Sequence, residues 1–333
     1  MTAQPSTAAR EDVRARAIEA DSVLVPIDPM TKSLLEKKPA LSSEPKKIEI
    51  VTYRGSSDTR SGNVCITLQL DPVALQPEHF DQELIDQSHG AFSYFDLRFM
   101  LAYQALWEKA EKMNIPIEKR YFSVAQICKH MTASKRPATA QMQRVMAAAY
   151  KLMHLKVQID ARCEAHLRNH SRSCRGSVFL PASVEQGTMN GSMTELIHPQ
   201  AEAPLFAFAK ERRQFTTVPA NVFRDSPLSL TEGNVNIEYY LLSRIREINH
   251  SDNGELVIKI ETFLRECGII PPAEESAAAA ARFRQQKRRA LINAEKWLAH
   301  LQEQGLIEDS SKEKDRFCIT LKPRKRKRKT KTS

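Results

Sequence analysis

The stretch ARFRQQKRRALINAEKWLAHLQEQGLI, residues 281–307, decides the fold that we predict for this chain. At 100° per residue, its apolar side chains gather on one face of a helix that could pack on a core. That face carries Phe283, Ala290, Leu291, Ala294, Trp297, Leu298 and Leu301. The opposite face carries Arg282, Arg289, Asn293, Lys296 and His300. Gly305 is predicted to end the helix, as glycine usually does.

The charge of this predicted helix is unbalanced. Between residues 282 and 296, Glu295 is the single acidic residue and stands against six cations. The cations are Arg282, Arg284, Lys287, Arg288, Arg289 and Lys296. A solvated surface helix is the alternative interpretation, but such helices usually mix both signs of charge. The imbalance therefore favours a helix that contacts DNA. Arg288 or Arg289 could reach a guanine and Asn293 an adenine, with the other cations on phosphates.

A β-hairpin is predicted directly after the helix. The runs LIED (306–309) and RFCITL (316–321) flank a polar turn, and the second run alternates as strands do. A basic helix followed by a hairpin is typical of a winged helix. One face of such a helix packs on the core, while the other can enter the major groove of DNA.

The same order of elements is predicted earlier in the chain. Ser123 could cap a helix over VAQICKHM, a second helix covers 139–153, and LKVQID (155–160) follows as a strand. The candidate DNA-contacting residues here are Lys135, Arg136, Gln143, Arg144 and Lys151. The alternative is a dimerising or core-packing domain without a role in DNA binding.

We therefore predict a helix-rich α+β protein with two winged-helix domains, each a helix-turn-helix with a β-hairpin wing. Residues rich in Ala, Ser, Glu and Pro predict a disordered N-terminal segment. The predicted organisation is a disordered segment at 1–45, domains at 46–182 and 205–322, a hairpin extension and linker at 183–204, and a basic tail at 323–333.

The net charge of +10 is concentrated near the end of the sequence. Eight of the 50 Lys and Arg residues lie in KPRKRKRKTK (322–331), and the other 42 nearly balance the 40 acidic residues. We predict an accessory arm that binds phosphates without sequence preference, through Arg324, Lys325, Arg326, Lys327 and Arg328. A solubilising disordered end, or a nuclear import signal in a eukaryotic host, are the alternatives.

A cysteine- and histidine-containing segment follows the predicted strand LKVQID (155–160). Cys163, His166, His170 and Cys174 have the order of ligands in a Cys₂His₂ zinc site, but their spacing is not a common one. Arginines interleave with them, so a basic wing that touches phosphates is the simpler interpretation. We predict no metal and no cofactor.

Enzyme classes find little support in the sequence. There is no phosphate-binding loop, no His-x-His pair, and only ten glycines. Tyr239 and Tyr240 lie in a strongly apolar helix, which predicts core positions rather than a nucleophile. No apolar run approaches the ~20 residues of a membrane span, and no signal peptide opens the chain. We expect a non-catalytic, cytoplasmic, nucleoid-associated protein.

Four segments of the second half carry a resemblance to a known family. They are YLLSRIREINHS (240–251), LVIKIETFLRECGI (256–269), RRALINAEKWLAHLQEQGLIE (288–308) and FCITL (317–321). Their order resembles that of plasmid replication initiators built from two winged-helix domains. The resemblance implies that two recognition helices bind repeated double-stranded origin sites, with host helicase-loading proteins as partners. A transcriptional autorepressor on the same scaffold, a homodimer, and a protein-interaction module without DNA binding remain open.

Overall fold

The chain is a mixed α+β protein, as predicted. Its computed structural model describes residues 14–15, 18–39, 42–53, 62–71, 90–132, 136–160, 174–189, 192–248, 254–272 and 276–321. The α-helices are α1 Pro29–Lys37, α2 Tyr94–Lys112, α3 Val124–Met131, α4 Thr139–His154, α5 Pro204–Glu211, α6 Asn221–Arg224, α7 Glu232–Ile248, α8 Ile260–Glu266 and α9 Ala277–Glu303. Within these described residues, no helix combines the length and the apolar composition needed to cross a membrane.

The described ranges contain 13 strands, which form four sheets. They are β1 Arg14–Ala15, β2 Ser22–Pro26, β3 Lys46–Tyr53, β4 Gly62–Leu70, β5 Phe122–Ser123, β6 Leu155–Asp160, β7 Cys174–Val178, β8 Ala182–Met189, β9 Ser192–Pro199, β10 Phe215–Pro219, β11 Glu255–Lys259, β12 Ile307–Lys312 and β13 Arg316–Leu321. The strand orders are β1-β8-β9-β5, β10-β2, β3-β4-β6-β7 and β11-β13-β12.

The chain divides into two compact units, residues 1–224 and 225–333. The predicted boundary near residue 205 is therefore wrong, and α5, β10 and α6 belong to the first unit. Strand β10 pairs antiparallel with β2, from Phe215 opposite Pro26 to Pro219 opposite Ser22. The segment predicted as a linker contains the β8–β9 hairpin, in which Ala182 pairs with Pro199. A hairpin was predicted in this segment, but the segment lies inside the first unit and does not link two domains.

Part of the N-terminal segment predicted to be disordered is folded. Leu24 and Val25 of β2 are buried, as are Leu34 and Leu35 of α1. Asp28 caps α1, where its carboxylate accepts from the Thr31 amide at 2.9 Å and hydroxyl at 2.7 Å. The amino-acid composition did not predict this folding, because β2 pairs with β10, about 190 residues later in the chain. No local sequence pattern indicates such a pairing.

Helix α2 lies at the centre of the first unit. It begins with a capping box, in which Ser93 and Asp96 each accept from the other's backbone amide. Fifteen of its residues are buried, so other elements of the unit surround it on most of its circumference. Ser123 caps α3 as predicted, accepting from the Gln126 amide at 3.2 Å. Helix α4 packs against both α2 and α3.

The second unit has the order helix, strand, helix, helix, hairpin. The segment LVIKIETFLRECGI is divided between a strand and a helix, because residues 255–259 form β11 and α8 begins at Ile260. Strand β11 pairs with β13, placing Val257 opposite Cys318. The core contains Phe263, whose ring lies 5.5 Å from that of Phe317 in an edge-to-face arrangement. Helix α9 packs on this core and on α7.

Candidate nucleic-acid interface

Helix α9 has well-defined ends. The Ser276 hydroxyl accepts from the Ala279 amide at 3.1 Å, which satisfies one of the unpaired amides of the first turn. At the other end, Gly305 has φ of +72°, in the left-handed region. The predicted end of the helix is confirmed. The helix begins at Ala277, four residues before the stretch 281–307, within an alanine run with high helix propensity.

The two halves of α9 differ in burial. The buried side chains are Ala290, Ala294, Trp297, Leu298, His300 and Leu301. No residue between Ala277 and Arg289 is buried. At about 1.5 Å per residue, this first half is roughly 20 Å long. Phe283 and Leu291, predicted on the apolar face, are only half-buried. Core packing therefore holds the C-terminal half, while the N-terminal half is available to solvent.

The exposed surface of α9 is strongly cationic. All six cations predicted to contact DNA are exposed there: Arg282, Arg284, Lys287, Arg288, Arg289 and Lys296. None of the six has an ion-pair partner among the residues that the structure describes. Glu295, the single acidic residue among them, forms an ion pair with Lys312 of β12. The positive charge of this surface is therefore not neutralised within the described part of the unit. We call these six residues the cationic face.

Two residues predicted on the solvent side of α9 instead contact other side chains of the protein. His300 is buried, and its ring lies 5.3 Å from that of Trp297. Asn293 is half-buried, and its Nδ2 donates to Oδ1 of Asn234 on α7 at 2.8 Å. Recognition of adenine by asparagine needs both the amide nitrogen and the oxygen. In the structure one Nδ2 hydrogen of Asn293 is used to join α9 to α7, and the adenine contact of this residue stays a prediction.

The sequence did not single out several exposed side chains of α9, among them Gln285 and Ile292. Gln285 is exposed, and Ile292 is 41% exposed. Ile292 lies 200° from Ala290 around the helix, and so almost opposite the core. An apolar residue at the centre of a polar face was the signal that could have identified it.

The β12–β13 hairpin carries both signs of charge. Arg316 pairs with Glu313, which holds the pKa of that carboxyl below its usual range through a hydrogen bond and charge attraction. Lys312 is occupied by Glu295. Acidic residues 308, 309, 313 and 315 balance the cations of the hairpin. Any grip of this wing on phosphates therefore rests on few charges, and the cationic face of α9 is the main positive surface among the described residues of the unit.

The corresponding helix of the first unit, α4, is less suited to DNA. Lys151 is buried, and its Nζ lies 2.5 Å from Oδ2 of Asp96. The prediction that Lys151 contacts DNA is therefore wrong. Gln143 and Arg136 are exposed as predicted. Arg144 is also exposed, with its guanidinium 3.9 Å from the centre of the Phe95 ring.

Several predicted residues lie outside the described part of the chain. They are Lys135, Arg324, Lys325, Arg326, Lys327, Arg328, Cys163, His166 and His170. Cys174 is the first residue of β7. In the described ranges, no group of three or more His, Cys, Asp or Glu residues is placed to hold a metal ion. The zinc hypothesis thus rests on the sequence alone.

Comparisons with known proteins add little to this geometry. No protein-family model matches the chain, and no curated protein matches it in sequence. Among solved structures, a selenomethionine crystal structure of domains 2 and 3 of RctB is similar, with a TM-score of 0.40 and 12% identity. The match covers 89% of this chain and 99% of that chain. Similarity at this level defines neither the fold nor the function of the chain.

Proposed function

We infer that the second unit is a winged-helix domain that binds double-stranded DNA, with α9 as its recognition helix. The cationic face of α9 carries this proposal. Six exposed cations that lack acidic partners in the described structure have no role in folding, since the buried side of the helix lies elsewhere. DNA carries one negative charge per ~1.7 Å of its axis, and neutralising phosphates releases counterions. A face of this kind binds such a polyanion strongly.

Two groups of cations along α9 have different tasks in the complex. Arg288, Arg289 and Lys296 lie at the middle of the helix, next to the part that the core fixes in position. We assign base contacts to this group, because guanine recognition by arginine needs a fixed geometry. Arg282, Arg284 and Lys287 lie nearer the N-terminus and neutralise phosphates. The basic tail at 323–333 adds contacts that do not depend on sequence.

At the level of the cell, we propose that the protein initiates replication of a plasmid or mobile element, acting in the cytoplasm. The resemblance of its second half to plasmid replication initiators supports this role. The mechanism is non-catalytic: binding to repeated origin sites bends or opens adjacent A·T-rich DNA, and host proteins then load the helicase. The burial of Tyr239 and Tyr240 supports the absence of a tyrosine nucleophile. The first unit contributes weaker contacts through Arg136, Gln143 and Arg144.

A DNA shift assay at graded salt concentrations tests the DNA-binding proposal. Arg289→Ala combined with Lys296→Ala removes two charges from the cationic face. Lys259→Ala combined with Arg265→Ala removes two exposed charges from the same unit, outside α9. We expect the first variant to lose at least tenfold in affinity for a selected duplex and the second to stay near wild type. Equal effects of the two would contradict a recognition role for α9.

Origin dependence separates replication from transcriptional repression on the same scaffold. The gene is removed from its replicon, and replication is followed in the same host with and without the gene supplied in trans. We expect replication only when the protein is supplied. A replicon that persists without it would exclude the initiator role and leave the regulator.

A further inference from the structure

We propose that Ile292 is a specificity-determining residue that contacts the 5-methyl group of a thymine in the major groove. This inference rests on the proposed DNA binding by α9. Ile292 is 41% exposed, although isoleucine is usually found in cores. Its position on α9 gives folding no reason for an isoleucine. The buried side of the helix lies opposite, and a β-branched residue favours a helix less than alanine does.

The neighbours of Ile292 on the helix surface are those at spacings of three and four residues. They are Arg288, Arg289, Glu295 and Lys296. Glu295 is neutralised by Lys312 from the hairpin. The apolar tip of Ile292 therefore lies among three exposed cations. A protein partner that buried this isoleucine would also have to supply anions to three neighbouring positions. DNA supplies such anions on both sides of its major groove.

The chemistry of the groove identifies the base. The thymine methyl is the apolar group that base pairs present in the major groove, where the other edges present hydrogen-bond donors and acceptors. Arginine and lysine next to an apolar side chain match phosphates or guanine next to a thymine. A polar base under Ile292 would lose hydrogen bonds to water without replacement.

Deoxyuridine substitution tests this contact, because it removes only the methyl group. A preferred duplex is first selected by the full chain from random sequences, and each thymine of that duplex is then replaced in turn. With the wild-type protein, we expect one position at which affinity falls about fourfold, the effect of burying one methyl group. With Ile292→Ala, affinity for the thymine duplex falls, and the same position no longer distinguishes thymine from deoxyuridine.

Val257→Ala provides the matched control. Val257 is an exposed β-branched residue of the same unit, 53% exposed on β11, and its variant should keep the wild-type response to deoxyuridine. The assignment of Ile292 is overturned if no thymine responds, or if Ile292→Ala keeps the response. In both cases sequence-selective binding persists, so the proposed function stands. A wild-type chain that selects no sequence at all overturns the proposed function together with the contact.

Discussion

Lys151 of α4 forms a buried ion pair with Asp96 of α2. Its helix was predicted with nearly correct bounds, and Lys151 itself was predicted to contact DNA. The structure buries it against Asp96, whose Oδ2 also accepts from the Ser93 amide and hydroxyl, both at 2.8 Å. The partner lies 55 residues earlier in the chain, so helical periodicity contains no information about it. A buried cation is stable only with such a partner.

Replacing Lys151 should therefore affect stability more than DNA binding. Lys151→Met keeps much of the side-chain volume but leaves the Asp96 carboxylate buried without its cation. We expect the free energy of unfolding to fall by about 3–5 kcal/mol, the usual effect of removing one partner of a buried pair. Denaturant unfolding measures this, with Gln143→Met on the exposed side of α4 as the control, expected within ~0.5 kcal/mol of wild type. An unchanged stability combined with weaker DNA binding would restore Lys151 to the interface.

We expect His130 to make the stability of the first unit depend on pH. Its Nε2 accepts from the Ala20 amide at 3.1 Å, and its Nδ1 lies 2.9 Å from the Gln126 carbonyl. Only the neutral ring accepts, so Nδ1 carries the proton and donates. Burial lowers the pKa of His130, with a smaller contribution from Arg224. The histidine thus fixes Ala20, two residues before β2.

The sign of the resulting pH dependence follows from the lowered pKa. The unfolded chain takes up a proton below about pH 6.5, while the folded unit resists it. The stability that His130 contributes is present above that pH and is lost as the pH falls towards the folded pKa. We expect wild-type unfolding free energy to drop between pH 7.5 and 5.5 by more than that of His130→Gln. Denaturant titrations at the two pH values measure the difference, and parallel curves would contradict the assignment.

At the scale of the element, α9 was the part of the fold that the sequence predicted best. Periodicity located its apolar face, and Gly305 located its end. His300 and Asn293 were misplaced because the angle around a helix does not reveal how far a neighbouring helix reaches. The side chain of Asn293 donates a hydrogen bond to that of Asn234 on α7, which lies 59 residues earlier in the chain. The exposure of the six cations was predicted correctly from the charge imbalance, which required no knowledge of neighbouring elements.

The N-terminal half of α9 should contribute to binding and not to folding. Arg284→Ala combined with Lys287→Ala removes two exposed cations from a segment without buried residues. We expect the free energy of unfolding to change by less than about 0.5 kcal/mol. The slope of log affinity against log salt concentration should become shallower by roughly 1.8, at about 0.9 per phosphate contact. Binding titrations at four or more salt concentrations measure the slope. An unchanged slope would place these cations away from DNA.

At the scale of the whole molecule, the sequence predicted the class and the order of elements better than the boundaries of the units. The boundary lies at residue 224 because β10 pairs with β2, and the two strands are separated by most of the first unit. Pairing at such distance is set by tertiary packing, which a local pattern cannot express. The distribution of charge, by contrast, can be read directly from the sequence. The net charge of +10 is nearly all in residues 322–331, so the positive site on α9 arises from clustering.

The central claim is that α9 recognises sequence, while the tail supplies only charge. The most direct test measures affinities for a selected duplex and for a scrambled duplex at the same salt concentration. The proteins compared are the wild type, Arg289→Ala with Lys296→Ala, and a chain lacking residues 323–333. We predict that the double variant loses most of the preference for the selected duplex, and that the truncated chain weakens on both duplexes while keeping the preference. A preference that disappears only on truncation would contradict α9 as the recognition helix.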